Sequence, residues 1–168
     1  MVGGGEGAFI GAVHRMAAAI DGDIELVCGA FSSDAERSRR SGAALLLPPE
    51  RVYADYAAMM LGEANLPADQ RMQFVAIVTP NNTHYPIASA ALEAGFHVLS
   101  DKPATLSLQE VLALQSQLEQ VGLLYGLTHT YNGYPMVKEA RQRIGAGELG
   151  TVRKVLVEYP QGWLADQQ

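Results

Sequence analysis

Short apolar runs alternate with helix-length segments along most of this 168-residue chain, and that alternation constrains the fold more than any other feature. The runs are Ile24–Phe31, Val52-Tyr53, Phe74–Val78, Phe96–Leu99 and Leu123–Leu127. Strands and helices taken in turn favour a parallel sheet covered by helices, since parallel neighbours need a long crossover between them. The fold class read here is therefore α/β, a doubly wound parallel sheet of the Rossmann type.

The intervening segments carry helix signals. A first helix is expected from about Ala8 to Ile20, with Ile10, Val13, Ala17 and Ile20 on one face, broken by Asp21-Gly22-Asp23. Ser33 and Glu36 have the spacing of a capping box, as do Ser107 and Glu110 ahead of a stripe of Leu108, Val111, Leu112 and Leu118. A helix is expected around Asp55 to Leu61 and an extended loop from Gly62 to Gln73, which contains Pro67. Pro86 suits the first turn of the next helix and Gly95 its end.

After Leu127 the character changes. Val137, Ala140, Arg141 and Ile144 mark a helix starting near Pro135, Gly145-Ala146-Gly147 ends it, and Val152 to Tyr159 alternates like an antiparallel strand. The expected division is a dinucleotide-binding domain over 1–128 and the start of an antiparallel-sheet domain over 129–168. Both ends read as cut: only Met1 and Val2 precede the first glycine, where the fold wants a buried strand, and the last expected strand lacks partners before Gln168. Trp163 is expected in a core or an interface.

Composition narrows the function. A 48% apolar and 18% charged chain suits a packed core, and a formal charge of −6 argues against a general binder of nucleic acid or membrane surface. Cys28, the one cysteine, lies in an apolar run and reads as a buried strand residue rather than a reactive thiol. No run is long enough to span a bilayer and the N-terminus lacks the pattern of a signal peptide, so a cytoplasmic setting is expected. No metal ligands are assigned.

Chemistry-bearing residues sit where the expected strands end. Gly3, Gly5 and Ala8 satisfy G-x-G-x-x-A, in which glycines permit a tight turn and close approach to a pyrophosphate while the following helix offers N–H donors. No Gly-Lys-Ser/Thr follows, which excludes a nucleoside-triphosphate loop of that type. The end of the second strand, where an acid would accept from an adenosine ribose, holds Phe31-Ser32-Ser33, with Arg37, Arg39 and Arg40 beyond; that pattern tilts toward NADP, although most of these charges also fit a solvated helix face. Thr79-Pro80-Asn81-Asn82-Thr83-His84 is either a plain strand-to-helix turn with an exposed His84 or the nicotinamide side of a cofactor site. Asp101-Lys102-Pro103 closes the next strand; Asp101 offers a partner charge, Pro103 stiffens the backbone, and the Lys102 ammonium can hold a substrate hydroxyl as its proton leaves. His129 and Tyr131 follow the last core strand and either reach the same edge or anchor a crossover.

The ordered set of motifs resembles the glucose–fructose oxidoreductase, inositol dehydrogenase and rhizopine-catabolism family over nearly the whole chain. It rests on the glycine turn continuing into Ile10-Gly11-Ala12-Val13-His14, on Thr79-Pro80-Asn81 with His84, on Ala94-Gly95-Phe96-His97-Val98-Leu99 before Asp101-Lys102-Pro103, and on Gly147-Glu148-Leu149-Gly150. The resemblance implies NAD or NADP and hydride exchange at a hydroxyl-bearing carbon of a sugar, cyclitol or related polyol. It places Gly3, Gly5 and Gly7 at the pyrophosphate, Ser32 and Ser33 near the adenosine ribose, Thr79, Pro80, Asn81 and His84 at the nicotinamide side, and Lys102 in the active site. It also implies a second domain that binds substrate and forms homo-oligomers, and a downstream Asp and His in a region beyond these residues. The chain alone is therefore expected to turn over little. Two rivals share the glycine turn: a non-catalytic dinucleotide-binding module, and a methyltransferase using S-adenosylmethionine, whose ribose wants an acid that Phe31-Ser32 does not supply.

Overall fold

The protein is described by a computed structural model covering residues 1–160 and Gly162; Trp163 lies outside the described residues. The chain forms two compact units, Met1–His129 and Thr130–Gln168.

The first unit is a parallel sheet with helices between its strands. Strands β1 (Val2–Gly3), β2 (Phe74–Val78), β3 (His97–Ser100) and β4 (Tyr125–Leu127) lie side by side in that order, all parallel. On the other flank of β1, Val2 bridges Ala30, and Gly29 in turn bridges Val52, again in parallel. Strand order therefore reverses direction at β1, the point at which open α/β sheets form a ligand crevice. The helices of this unit are α1 (Phe9–Ala19), α2 (Ala35–Ala44), α3 (Tyr56–Ala64), α4 (His84–Glu93) and α5 (Leu108–Val121).

The central strand β2 places Val75 and Ile77 in the core, where they meet Met59, Ile87, Leu92, Phe96 and Val98. Removing each such side chain from water contributes about 1.5–3 kcal/mol. Cys28 is buried here too, and burial, followed by the nearby Glu63 charge, pushes its thiol up to about 11 against the opposing pull of the N-terminal ammonium. At neutral pH it is an unreactive core residue.

Several elements depart from the sequence expectation. The run Ile24–Phe31 pairs only at Gly29 and Ala30, because the facing strand β1 is two residues long; Ile24 remains exposed. Helix α2 is capped by Asp34, not Ser33: the Asp34 carboxylate accepts from Arg37 N–H at 2.8 Å, while Ser32 Oγ accepts from Asp34 N–H at 3.1 Å. In α1 the buried residue is Gly11, and Ile20 is left exposed, since contact with the sheet turns the helix toward Gly11. In α5 the buried residue is Leu114, with Leu108, Val111 and Leu112 facing solvent. The Ser107–Glu110 capping box forms as expected.

Helix α3 runs three residues into the segment expected to be a loop, and Glu63 gives the reason. Its carboxylate, wholly buried, receives Arg51 Nε at 2.9 Å and Arg51 Nη2 at 2.8 Å, Tyr53 Oη at 2.9 Å and Met72 N–H at 2.9 Å. One side chain so ties α3 to the turn at Pro49–Arg51, to the edge segment at Tyr53 and to Met72, two residues before β2.

The second unit contains a short helical turn, Thr130–Gly133, and helix α6 (Pro135–Gly145). Tyr131 packs edge-to-face on Tyr134 and on Tyr159, and the Tyr131 and Tyr159 hydroxyls share a hydrogen bond. The expected strand at Val152–Tyr159 has no ladder partner among the described residues, and without one an alternating segment cannot register as sheet. No helix among the described residues is long and apolar enough to cross a membrane.

Burial alone would raise the Glu63 carboxyl, but the Arg51 guanidinium, Met72 N–H and Tyr53 hydroxyl outweigh it and hold the group below its ordinary 4.5. The unfolded chain thus binds the proton more readily, so the contribution is full above pH 4.5 and is lost as pH falls through the lower folded value. Glu63→Ala strands the Arg51 charge and is expected to cost about 3–5 kcal/mol in urea unfolding at pH 7, with the difference from wild type shrinking as pH falls below that range.

Candidate active site

Because every strand of the first unit is parallel, the segments that follow them emerge at one edge. Gly3 pairs with Val78, and Ile77 pairs with Ser100, so the glycine turn, Thr79-Pro80-Asn81 and Asp101-Lys102-Pro103 stand in a row. The turn and Lys102 are two strand spacings apart, about 10 Å.

The glycine turn is built for backbone contact. Gly3, Gly4 and Gly7 have φ of 78°, 71° and 75°, the left-handed region that glycine reaches without penalty. A Cβ on Gly11 would stand 2.3 Å from Gly4 Cα, and one on Gly4 would stand 2.8 Å from Gly11 Cα. The close helix–strand contact is therefore Gly4 against Gly11. Ala8, expected in that third position from the G-x-G-x-x-A spacing, is instead the N-cap of α1 and offers no side-chain cap.

Side chains hold the turn from behind. Arg15 Nη1 donates to Gly4 O at 2.7 Å, Arg37 Nη2 donates to Glu6 O at 2.5 Å, and Ser41 Oγ accepts from Glu6 N–H at 3.0 Å. Gly5 N–H donates to Phe31 O at 3.3 Å, which ties the turn to the end of the second strand segment. The Arg40 guanidinium faces the Glu6 carboxylate at 3.6 Å. A groove of about 490 Å³ runs along Gly5, Gly7, Ala12, Arg15, Arg40 and Ser41. A second cavity, of about 320 Å³, opens by Gln73, Phe96 and His97 at the opposite ends of β2 and β3 and takes no part in this edge.

The residues fit a pyrophosphate. The leading N–H groups of α1 have no intrahelical acceptor, no side chain caps them, and no acidic residue occupies the first helical turn. Among the described residues no group of three His, Cys, Asp or Glu side chains could hold a metal.

At the next two turns, Asn81 and Lys102 are exposed, with Thr79, Asp101 and Pro103 part-buried. Thr83 Oγ1 donates to Pro80 O at 2.7 Å and lies 2.8 Å from Thr79 Oγ1, so both hydroxyls serve the turn itself. Asp101 Oδ1 accepts from Lys102 N–H at 2.9 Å. That carboxylate orders the backbone rather than pairing with the lysine head, and among the described residues the Lys102 ammonium has no ion-pair partner. The Lys102–Pro103 peptide bond is cis.

His84 departs most from expectation. It is 1% exposed, its Nδ1 is 2.6 Å from Pro103 O, and its Nε2 is 3.0 Å from Thr79 O. It lies between the two turns instead of facing a ligand. Ser32 is part-buried and Ser33 exposed after the second strand segment, His129 is exposed beyond β4, and Tyr131 belongs to the second unit.

Residues 1–129 match the profile of an oxidoreductase family with an NAD-binding Rossmann fold. The chain belongs to that family. It is 37% identical over its whole length to the uncharacterized oxidoreductase YfiI of Bacillus subtilis, of which it covers 42%, and 31% identical over 134 residues to levoglucosan dehydrogenase of Pseudarthrobacter phenanthrenivorans, covering 71% of this chain and 34% of that one. Among solved structures it superposes with a TM-score of 0.88 on an inositol dehydrogenase homolog from Azotobacter vinelandii complexed with NADH and myo-inositol; the two are 41% identical over 91% of this chain and 40% of that one. The chain thus spans less than half the length of these relatives.

As the NAD-binding part of this oxidoreductase family, the chain contains residues that motif spacing missed: Gly4, Glu6, Gly11, Arg15 and Ser41. One signal was present. A glycine inside a helix costs about 1 kcal/mol against alanine, so Gly11 within α1 needed a packing reason. The others act through tertiary contacts with no periodic trace. Gly11→Ala is expected to push α1 off β1, cost about 1–3 kcal/mol in thermal unfolding and weaken NADH binding measured by fluorescence titration.

Proposed function

We propose that the complete protein is an NAD-dependent dehydrogenase acting on a CH–OH group of a sugar, cyclitol or related polyol. The observation carrying this reading is the shared edge: an uncapped helix N-terminus behind the glycine turn at the sheet's switch point, and, two strands away, a lysine ammonium with no ion-pair partner among the described residues. The relatives support it, since one is a levoglucosan dehydrogenase and another an inositol dehydrogenase homolog complexed with NADH and myo-inositol.

In this reading Gly3, Gly5 and Gly7 bring the backbone to the pyrophosphate, and the first N–H groups of α1 receive its charge. Ser32 and Ser33 face the adenosine ribose. Thr79, Pro80 and Asn81 would border the nicotinamide of a bound dinucleotide, which would supply hydride-transfer chemistry at the substrate carbon. Lys102 hydrogen-bonds the substrate hydroxyl and favours departure of its proton, because a nearby cation stabilises the developing oxyanion. Asp101 and Pro103 hold the Lys102 backbone. Residues from Thr130 onward begin a substrate-binding domain through which copies of the protein associate, and a cytoplasmic setting supplies the dinucleotide.

We further read NAD in preference to NADP. A 2′-phosphate needs free guanidinium groups, yet Arg37 is bonded to Glu6 O and Arg40 faces the Glu6 carboxylate.

Two measurements test these statements. Lys102→Ala in the complete protein is expected to lower kcat for polyol oxidation by about 10²–10⁴-fold while leaving NADH affinity essentially unchanged. Unchanged turnover would remove the lysine from the chemistry and favour a non-catalytic dinucleotide-binding module. Calorimetric titration is expected to give NAD a dissociation constant at least about tenfold below that of NADP, a difference of about 1.4 kcal/mol; the reverse order would show that the arginines are released from Glu6.

A further inference from the structure

Among the described residues the His84 imidazole lies within hydrogen-bond distance of the backbone of both turns flanking the proposed nicotinamide and substrate positions. It opens α4, directly after the turn at Asn81–Thr83. Its two ring nitrogens face Pro103 O at 2.6 Å and Thr79 O at 3.0 Å. Carbonyl oxygens only accept, so a ring carrying one proton donates to one turn and a ring carrying both donates to both. At 1% exposure the ring has no water to turn to, and losing a partner leaves a buried polar group unsatisfied.

Little else joins these turns. The ladder bond from Asp101 N–H to Ile77 O, 2.9 Å, lies one residue before Lys102. Beyond Pro103 the next tie is Tyr125 Oη to Ala104 O, long at 3.4 Å, and it leads away to β4. The remaining polar groups nearby are spent locally: Asp101 on Lys102 N–H, and Thr79 with Thr83 on their own turn. The position of the Lys102 backbone relative to Thr79-Pro80-Asn81 therefore depends on the imidazole.

We propose that His84 is a positioning residue that couples the Lys102 turn to the Thr79–Asn81 turn, so that filling the nicotinamide position orders the residue that holds the substrate hydroxyl. His84 itself touches neither ligand. The coupling rests on the functional reading above.

Hydrogen–deuterium exchange of the complete protein, with and without NADH, tests it in wild type, His84→Asn and His84→Gln. The Asn amide nitrogen falls where Nδ1 was and can keep the Pro103 tie; the Gln nitrogen falls where Nε2 was and can keep the Thr79 tie. In wild type NADH is expected to slow exchange about tenfold both in 79–83 and in 101–105. In each variant the slowing persists in 79–83, while 101–105 stays within about twofold of its ligand-free rate. Each comparison is made within one protein, so a general loss of stability, which speeds exchange everywhere, does not mimic the result. Slowing of both segments in both variants, as in wild type, would overturn the inference alone. Wild-type protein whose exchange NADH leaves unchanged everywhere would overturn it together with the reading beneath it.

Discussion

The backbone contact between Gly4 and Gly11 is what the rest of the site depends on. With no Cβ on either side, α1 approaches β1 until a methyl group at Gly11 would lie 2.3 Å from a main-chain carbon. That approach sets the start of α1 at the rim of the sheet, where its uncapped N–H groups face outward next to the turn at Gly5–Gly7. A larger residue at either position would displace the helix, and with it the donors an anionic cofactor needs. Burial of Gly11 along α1 and exposure of Ile20 follow from the same contact.

The protein keeps its strong ionic interaction away from this rim. Arg51 and Glu63 form a buried, hydrogen-bonded pair that locks the edge segment at Tyr53, α3 and the approach to β2. At the rim itself the charged groups are exposed and loosely paired: Arg40 meets Glu6 at 3.6 Å, and Lys102 stands without a counter-ion among the described residues. The exposed Lys102 ammonium can take up a partner when a ligand arrives, because it gives up no ion pair among the described residues to do so. The His84 ring, whose two nitrogens face one carbonyl of each turn, ties the rim together without an ion pair.

Much of the fold was legible in the residues. Phe74–Val78 is a strand with the expected bounds, the Ser107–Glu110 box closes around α5, and Gly95 ends α4 with a φ of 85°. These signals are local: an apolar run, a cap spacing, a residue that tolerates the left-handed region. Less local expectations fared worse. Ile24–Phe31 has strand composition yet pairs only at Gly29 and Ala30, and Val152–Tyr159 alternates yet forms no strand among the described residues. Pairing belongs to two segments at once, and one segment's pattern does not contain it. The Asp34 cap shows a smaller version of this: Ser33 and Asp34 both suit a cap, and backbone geometry chose the carboxylate.

The candidate site divides along the same line. Residue types and order alone determined the alternation of strands and helices, the glycine-rich turn, the lysine at a strand's end and the family they resemble, since each depends on short-range chemistry written in consecutive residues. Tertiary structure alone decided that Gly4 meets Gly11, that Arg37 and Arg40 turn back on Glu6, and that His84 is buried between two carbonyls. Those are contacts between residues up to 34 positions apart, as with Arg40 and Glu6, and only the packed sheet sets their distances. A histidine after a turn reads the same in sequence whether it faces a ligand or holds two loops together; the acceptors that surround it make the difference.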